Sequence, residues 1–176
     1  MCGGWSGRLI ADGHNEPVTT FELPDGARRV AAWLAAAGHP EPIVMLPVTG
    51  RTAADAAAAL GVELGQIAKS IVFRRIHDDA AILVVAAGDR RVDEAKVSAL
   101  VGPIGRADAN FVKAHTGFSI GGVCPVAHTG DVVVLIDAEL SRFEQIWAAA
   151  GHPHAVFPLS PDQLHALTGA PVADIC

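Results

Sequence analysis

Gly61-Val-Glu-Leu-Gly-Gln-Ile-Ala-Lys-Ser-Ile-Val-Phe73 is the stretch that decides the fold. From Ile67 to Phe73 it is apolar and rich in β-branched residues, interrupted by one cation, Lys69, and rimmed by Arg74 and Arg75. His77, Asp78 and Asp79 supply a turn, and the unbroken run Ala81–Ala87 then reads as a second strand able to pair antiparallel with the first. An ammonium among Ile67, Ile71 and Phe73 needs a carboxylate, a carbonyl or a ligand oxygen. Lys69 therefore stands either at a solvated strand end or at a site.

Outward from this hairpin, short helices alternate with strands. Upstream, Pro24 and Asp25 open a helix carrying Val30, Trp33, Leu34 and Ala37 on one face, closed by Gly38 and Pro40. A short strand is expected over Ile43–Val48, then a helix over Ala53–Leu60, capped by Thr52 and stopped by Gly61. Residues 1–20 show no sustained period and read as a loosely ordered extension, leaving 21–176 as one domain. Downstream, Asp93 caps a helix over Glu94–Leu100, Asp108 starts another reaching about His115, and Val132–Ile136 has the pattern of an interior strand. The hexapeptide Ala-Ala-Ala-Gly-His-Pro occurs twice, at 35–40 and 148–153. Helical spacing precedes the first copy, whereas the second lies between Ile146-Trp147 and Ala155-Val156-Phe157, so its Gly151–His154 is expected to turn a hairpin. Ser160 caps a last helix, from Pro161 to Leu167, before a short terminal strand or coil.

With 176 residues, 51% of them hydrophobic and 18% charged, the chain can bury one sizeable core. No apolar run approaches a bilayer span and no basic-then-apolar leader opens the sequence, so neither a membrane partner nor a secretory route is expected. The three widely spaced cysteines, Cys2, Cys124 and Cys176, argue for a reducing, cytoplasmic setting. A formal charge of -6 argues against DNA or broad nucleic-acid binding while leaving contact with the end of a nucleic acid open.

Familiar motifs fail on their own chemistry. Lys69-Ser70 resembles the end of a phosphate loop, but Ala68 replaces the required glycine and the pair lies in a strand. Neither a nucleophile-elbow serine, a Cys-x-x-Cys pair nor a zinc-helix motif occurs. His152 and His154 flank Pro153 without a third ligand, so no metal is expected. What survives beside Lys69 is the loop from Gly121 to His128. Gly121 and Gly122 permit positive φ or close approach and Pro125 stiffens the far side, so the intervening amides suit a carbonyl oxygen; a plain Gly/Pro turn is the other reading.

Three blocks together carry a resemblance: Ile-Ala-Lys-Ser-Ile-Val-Phe at 67–73, Gly-Asp-Arg-Arg-Val-Asp at 88–93, and Thr-Gly-Phe-Ser-Ile-Gly-Gly-Val-Cys-Pro at 116–125. In order and spacing they resemble the YbaK/ProX family of aminoacyl-tRNA deacylases, freestanding relatives of the editing domain of bacterial prolyl-tRNA synthetase. The likeness runs from about Ile43 to Ile175. It implies an α/β (α+β) domain with a twisted, mixed, mostly antiparallel and partly barrel-like sheet surrounded by helices. It also implies a hydrolase that removes a small amino acid from the 3′ end of a mischarged tRNA, tRNA-Pro by kinship, with an aminoacyl-tRNA synthetase as a second candidate partner and no cofactor. The catalytic role falls on Lys69 and substrate binding on Gly121, Gly122, Val123, Cys124 and Pro125, with His128 and Thr52 as further candidate contacts.

Two positions depart from the family. Cys124 stands where many relatives carry Ser, Thr or Pro, and Ala127 where glycine is common. Cys124 is either a small pocket-wall residue or a thiol nucleophile served by His128. Thr52 reads as a helix cap before a substrate contact, and Asp137 as a turn or helix cap before an assistant to water. A non-catalytic module on the same fold, binding an aminoacyl group, a nucleotide or a synthetase, is the alternative to the hydrolase.

Overall fold

In a computed structural model the chain is described over residues 6–9, 17–19, 23–47 and 52–176. The hairpin read from the sequence lies near the middle of one ten-stranded sheet. Strand β4 (Ile67–Arg75) pairs antiparallel with β5 (Ala81–Ala87) over seven registered positions, Ala68 to Arg74, as expected from the His77–Asp79 turn. Every residue of β5 is buried, because β7 (Val132–Asp137) flanks it in parallel on the other side and helices cover both faces.

The remaining strands are short. They are β1 (Ser6–Leu9), β2 (Pro17–Thr19), β3 (Val44–Met45), β6 (Ile104–Arg106), β8 (Ile146–Ala149), β9 (Ala155–Leu159) and β10 (Val172–Ala173). The order is β10-β7-β5-β4-β8-β9-β3-β1-β2, with β6 also pairing β4. Antiparallel and parallel ladders are mixed, and no ladder among the described residues joins β10 to β2, so the barrel-like character stops short of closure. Several strands differ from the sequence reading, β6 (Ile104–Arg106) among them, which was not expected. Ser6–Leu9 and Pro17–Thr19 form strands inside the segment read as a loosely ordered extension, with β1 pairing β3. Strand β3 is confined to two residues of the expected Ile43–Val48, of which Val48 lies outside the described residues.

Among the described residues five α-helices surround the sheet. Helix α1 (Asp25–Ala36) buries Ala27, Val30, Ala31 and Leu34 against it; fully buried Val30 and Leu34 each contribute about 1.5–3 kcal/mol. Helix α2 (Ala53–Leu60) begins on a reciprocal capping box between Thr52 and Asp55, so Thr52 is the expected cap. Helices α3 (Glu94–Val101), α4 (Ala109–Thr116) and α5 (Pro161–Thr168) start on the Asp93, Asp108 and Ser160 side chains respectively. The twin hexapeptides part as expected: the first ends α1, while the second leaves β8 through a turn in which the Ala155 amide donates to the His152 carbonyl.

Side chains alternate across β4. Ala68 and Val72 join the core beneath α1, whereas Phe73, with Ile71, joins a second cluster with Val97 of α3 and Ile175. On the side of β4 away from β5, β8 pairs only Ile67 and Ala68, and β6 resumes only at Phe73. A stretch of strand edge is left between them.

Candidate active site

The open edge of β4 is where the candidate residues converge. A cavity of about 170 Å³ is lined by Thr52 at the start of α2, by Lys69 and Ser70 on β4, by Gly121 and Val123 of the loop after α4, and by Trp147 of β8. Lys69 and the Gly121 loop, 52 residues apart in sequence, thus share one small chamber whose remaining walls are mostly aliphatic. The Lys69 amine donates to the backbone carbonyl of Arg90, so the buried-looking cation does have an oxygen partner. That carbonyl lies in the turn after β5, which ion pairs hold in place. Arg142 reaches Asp89 at 2.7 Å and holds its carboxyl below the usual range, while Arg90 reaches Glu139 at 2.9 Å.

The loop is rigid for identifiable reasons. Gly121 has φ +91°, and a Cβ on Gly122 would stand 2.7 Å from the His152 carbonyl carbon, so only glycine lets the loop lie against the β8–β9 turn. One expectation needs correcting. The loop amides do not form a free row of donors, because the Gly122 N–H is already used, donating to the Ser119 carbonyl at 3.0 Å. Gly121 and Val123 line the cavity; Gly122, Cys124 and Pro125 are buried behind it.

Cys124 and His128 do not form a nucleophilic pair. Burial pushes the Cys124 thiol up to about 12, with the Val126 amide opposing, so no thiolate is available near neutral pH. His128 Nε2 lies 2.7 Å from the Cys124 carbonyl oxygen, not on the sulfur, and therefore carries its hydrogen there as a loop brace. Burial lowers the His128 pKa, opposed by that same bond. Neither residue lines the cavity. Ala127 adopts φ +63°, the left-handed conformation that explains why a glycine suits this position.

Asp137 is fully buried and caps a 3₁₀ turn over Ala138–Arg142 by accepting from the Glu139 amide, which agrees with its reading as a cap. His152 and His154 face each other with ring centroids 5.4 Å apart, and among the described residues no group of three metal-ligating side chains occurs.

Three residues were not legible as site residues. Ser70 and Trp147 each hold a buried polar atom, Oγ and Nε1, without a hydrogen-bond partner among the described residues, and both line the cavity. Strand alternation hides Ser70, since the residue next to Lys69 faces the other way. Arg29 of α1 clamps the loop from outside: Nε donates to the Ala127 carbonyl at 3.1 Å, Nη2 to the Thr116 carbonyl at 3.4 Å, and its guanidinium lies 4.2 Å from the Phe118 ring centre. Nothing in its sequence setting marks it, since it lies off the buried stripe of Ala27, Val30, Ala31 and Leu34.

Comparison with known proteins gives a consistent answer. The aminoacyl-tRNA editing domain matches residues 48–167. The uncharacterized protein YwhH of Bacillus subtilis (strain 168) is 38% identical over 127 residues, 71% of this chain and 80% of that one. A crystal structure described as a candidate trans-editing enzyme for prolyl-tRNA synthetase is 42% identical, with TM-score 0.83 over 88% of this chain and 98% of that one. The hypothetical protein APE2540 is 33% identical, with TM-score 0.77 over 84% of this chain and 98% of the other. No helix among the described residues is long and apolar enough to cross a membrane.

Proposed function

Because the chain belongs to the aminoacyl-tRNA editing domain family, we propose that it is a trans-editing hydrolase, cleaving the ester between a small amino acid and the 3′ end of a mischarged tRNA in the cytoplasm. The observation that carries this reading is the sharing of one cavity of about 170 Å³ by Lys69 and the Gly121–Val123 segment. A chamber of that size walled by Ala53, Ala56 and Ala149 suits a small acyl group and sterically discourages a large one. The similarity to a candidate trans-editing enzyme for prolyl-tRNA synthetase supports tRNA-Pro as the acceptor and an aminoacyl-tRNA synthetase as a further partner in this reading.

In the proposed reaction, water adds to the ester carbonyl carbon, negative charge develops on the carbonyl oxygen, and the C–O bond to the ribose breaks. The ribose oxygen takes the proton that the attacking water gives up, releasing free amino acid and tRNA. Lys69, as a cation, orients the ester and offsets the developing charge, together with the Gly121 or Val123 amide. No carboxylate or imidazole lines the chamber among the described residues, and this reading assigns the protein positioning and electrostatics. Cys124 stays a packing residue, consistent with its burial.

The test is a deacylation time course on tRNAs charged with alanine, serine, cysteine and larger residues. Release of a small amino acid well above the rate without protein supports the hydrolase. A flat course across the whole panel overturns it and leaves the binding-module alternative.

A further inference from the structure

Among the polar side chains around the acyl chamber, Thr52 is committed to its own helix: its hydroxyl donates to Asp55 Oδ2 at 2.8 Å and accepts from the Asp55 amide at 3.1 Å. The Ser70 hydroxyl and the Trp147 indole N–H keep unused capacity, both buried without a partner among the described residues. A buried indole N–H ordinarily finds an acceptor. Side chains alternate along β4, so Ser70 points to the face opposite Lys69. Trp147 shares the face of Lys69. Strand β8 runs parallel to β4 with Trp147 registered on Ile67, and Lys69 lies two residues further along that strand. Strand spacing and rise put the two α-carbons roughly 8 Å apart, a diagonal within reach of a lysine and an indole.

The indole is held in place by the sheet itself. Trp147 pairs Ile67 on one side and Pro158 on the other, and its ring packs against the cluster of Leu46, Ala56, Ile67 and Val156. These four side chains are hydrocarbon and also line the chamber, so they offer the N–H no acceptor. An indole nitrogen donates and never accepts. The α-ammonium of an aminoacyl ester, itself only a donor, is therefore no partner for it; an oxygen is required. The oxygen common to every aminoacyl ester is the carbonyl oxygen, which gains negative charge as water adds. A donor that is fixed, desolvated and uncommitted acts most strongly on charge that appears only in the transition state. The Lys69 ammonium has three hydrogens and spends one on the Arg90 carbonyl, so it can donate to the same oxygen.

Resting on the hydrolase reading, we propose that Trp147 is a second catalytic residue, its indole N–H donating to the ester carbonyl oxygen beside the Lys69 ammonium. Water adds to the carbonyl carbon, and the oxygen between Trp147 and Lys69 takes up the negative charge. On collapse the C–O bond to the ribose breaks, and the proton given up by the water passes to the ribose oxygen. The indole keeps its own proton throughout. Two donors on neighbouring strands thus set the place of the oxyanion through the β4–β8 register.

The test compares wild type with two variants on tRNA charged with alanine and on tRNA charged with serine, under single-turnover conditions. Trp147→Phe removes the N–H together with part of the ring. Replacing Trp147 by benzothienylalanine puts sulfur in place of the N–H and keeps the shape. Both are expected to lower the saturating rate by about 10²-fold, with the half-saturating concentration of the isosteric variant within about threefold of wild type. The loss should be equal on the two esters, because the carbonyl is common to them. The N–H has no partner in the free protein, so the isosteric variant should melt within a few degrees of wild type, which a merely structural role would not allow. Deacylation by the folded isosteric variant within about threefold of wild type overturns the assignment and leaves the hydrolase standing. A loss confined to the seryl ester moves the N–H to the side-chain hydroxyl and overturns it as well. A second readout needs no turnover: the hydrolysis-resistant amide analogue of alanyl-adenosine should move the indole N–H resonance that Trp147→Phe deletes from the NMR spectrum. An unmoved resonance overturns the contact. A moved one in a protein that deacylates neither tRNA sustains the contact and sinks the hydrolase.

Discussion

The Lys69 amine donates a hydrogen bond to the backbone carbonyl of Arg90, in the turn that follows the strand paired with its own. That carbonyl is held indirectly by Arg142–Asp89 and Arg90–Glu139 contacts. Among the described residues no carboxylate pairs with this lysine, so the main-chain tether fixes its direction without neutralising its charge. In the proposed mechanism this leaves the positive charge available to the ester.

The Arg29 clamp joins α1 to both ends of the loop segment 116–127. Arg29→Ala removes two carbonyl bonds and the cation over Phe118, and is expected to destabilise the fold by about 1–3 kcal/mol. The loss is read as a lower urea midpoint with unchanged slope. Arg29→Lys, which cannot span both carbonyls, should restore only part of it.

Gly122→Ala places a methyl group 2.7 Å from the His152 carbonyl carbon, and backbone cannot yield as a flexible side chain would. About 1–3 kcal/mol of destabilisation is expected in thermal unfolding, with KM for deacylation raised as the loop lifts from the β8–β9 turn.

Cys124, fully buried with its thiol pushed up to about 12, should resist iodoacetamide in the native protein and react only on unfolding, as read by mass spectrometry of its peptide. Cys124→Ala should keep kcat/KM within about threefold. A loss of a hundredfold or more would return the thiol to the chemistry.

Burial depresses the His128 pKa, so the folded state holds this ring neutral more strongly than the unfolded chain does. Where the unfolded ring is protonated and the folded one is not, the unfolded state binds more protons, so stability falls as pH drops below the ordinary imidazole value. His152, lowered by burial and by His154, adds to the loss in the same window. Melting temperature should decline from about pH 7 toward pH 5, and His128→Gln should flatten part of that decline while leaving the His152 part. Asp78, held at about 2 by Arg75, and Asp89, held down by Arg142, act only at more acid pH.

The helices were legible because their caps are local: Asp93, Asp108 and Ser160 each bond amides within their own first turn. The β4–β5 hairpin was legible because turn chemistry and two apolar runs agree. Strand β6 escaped notice because three residues, Ile104–Arg106, carry no period and gain their place only by docking on β4. Strands β1 and β2 are likewise too short to carry a period and are placed only by pairing with each other and with β3. At the site, Lys69 and Gly121 stood out because a cation in an apolar run and paired glycines are locally anomalous. Arg29, Ser70 and Trp147 are ordinary residues in ordinary elements, and only the tertiary approach of α1 and the open edge of β4 sets them apart.

The most direct test compares wild-type protein and Lys69→Ala on tRNA carrying a small mischarged amino acid, under single-turnover conditions, with melting temperature measured on the same samples. The account predicts that the variant melts within a few degrees of wild type while its deacylation rate falls by about 10²–10³, the cost of removing one transition-state charge stabiliser. Undiminished deacylation by a fully folded Lys69→Ala protein would contradict it.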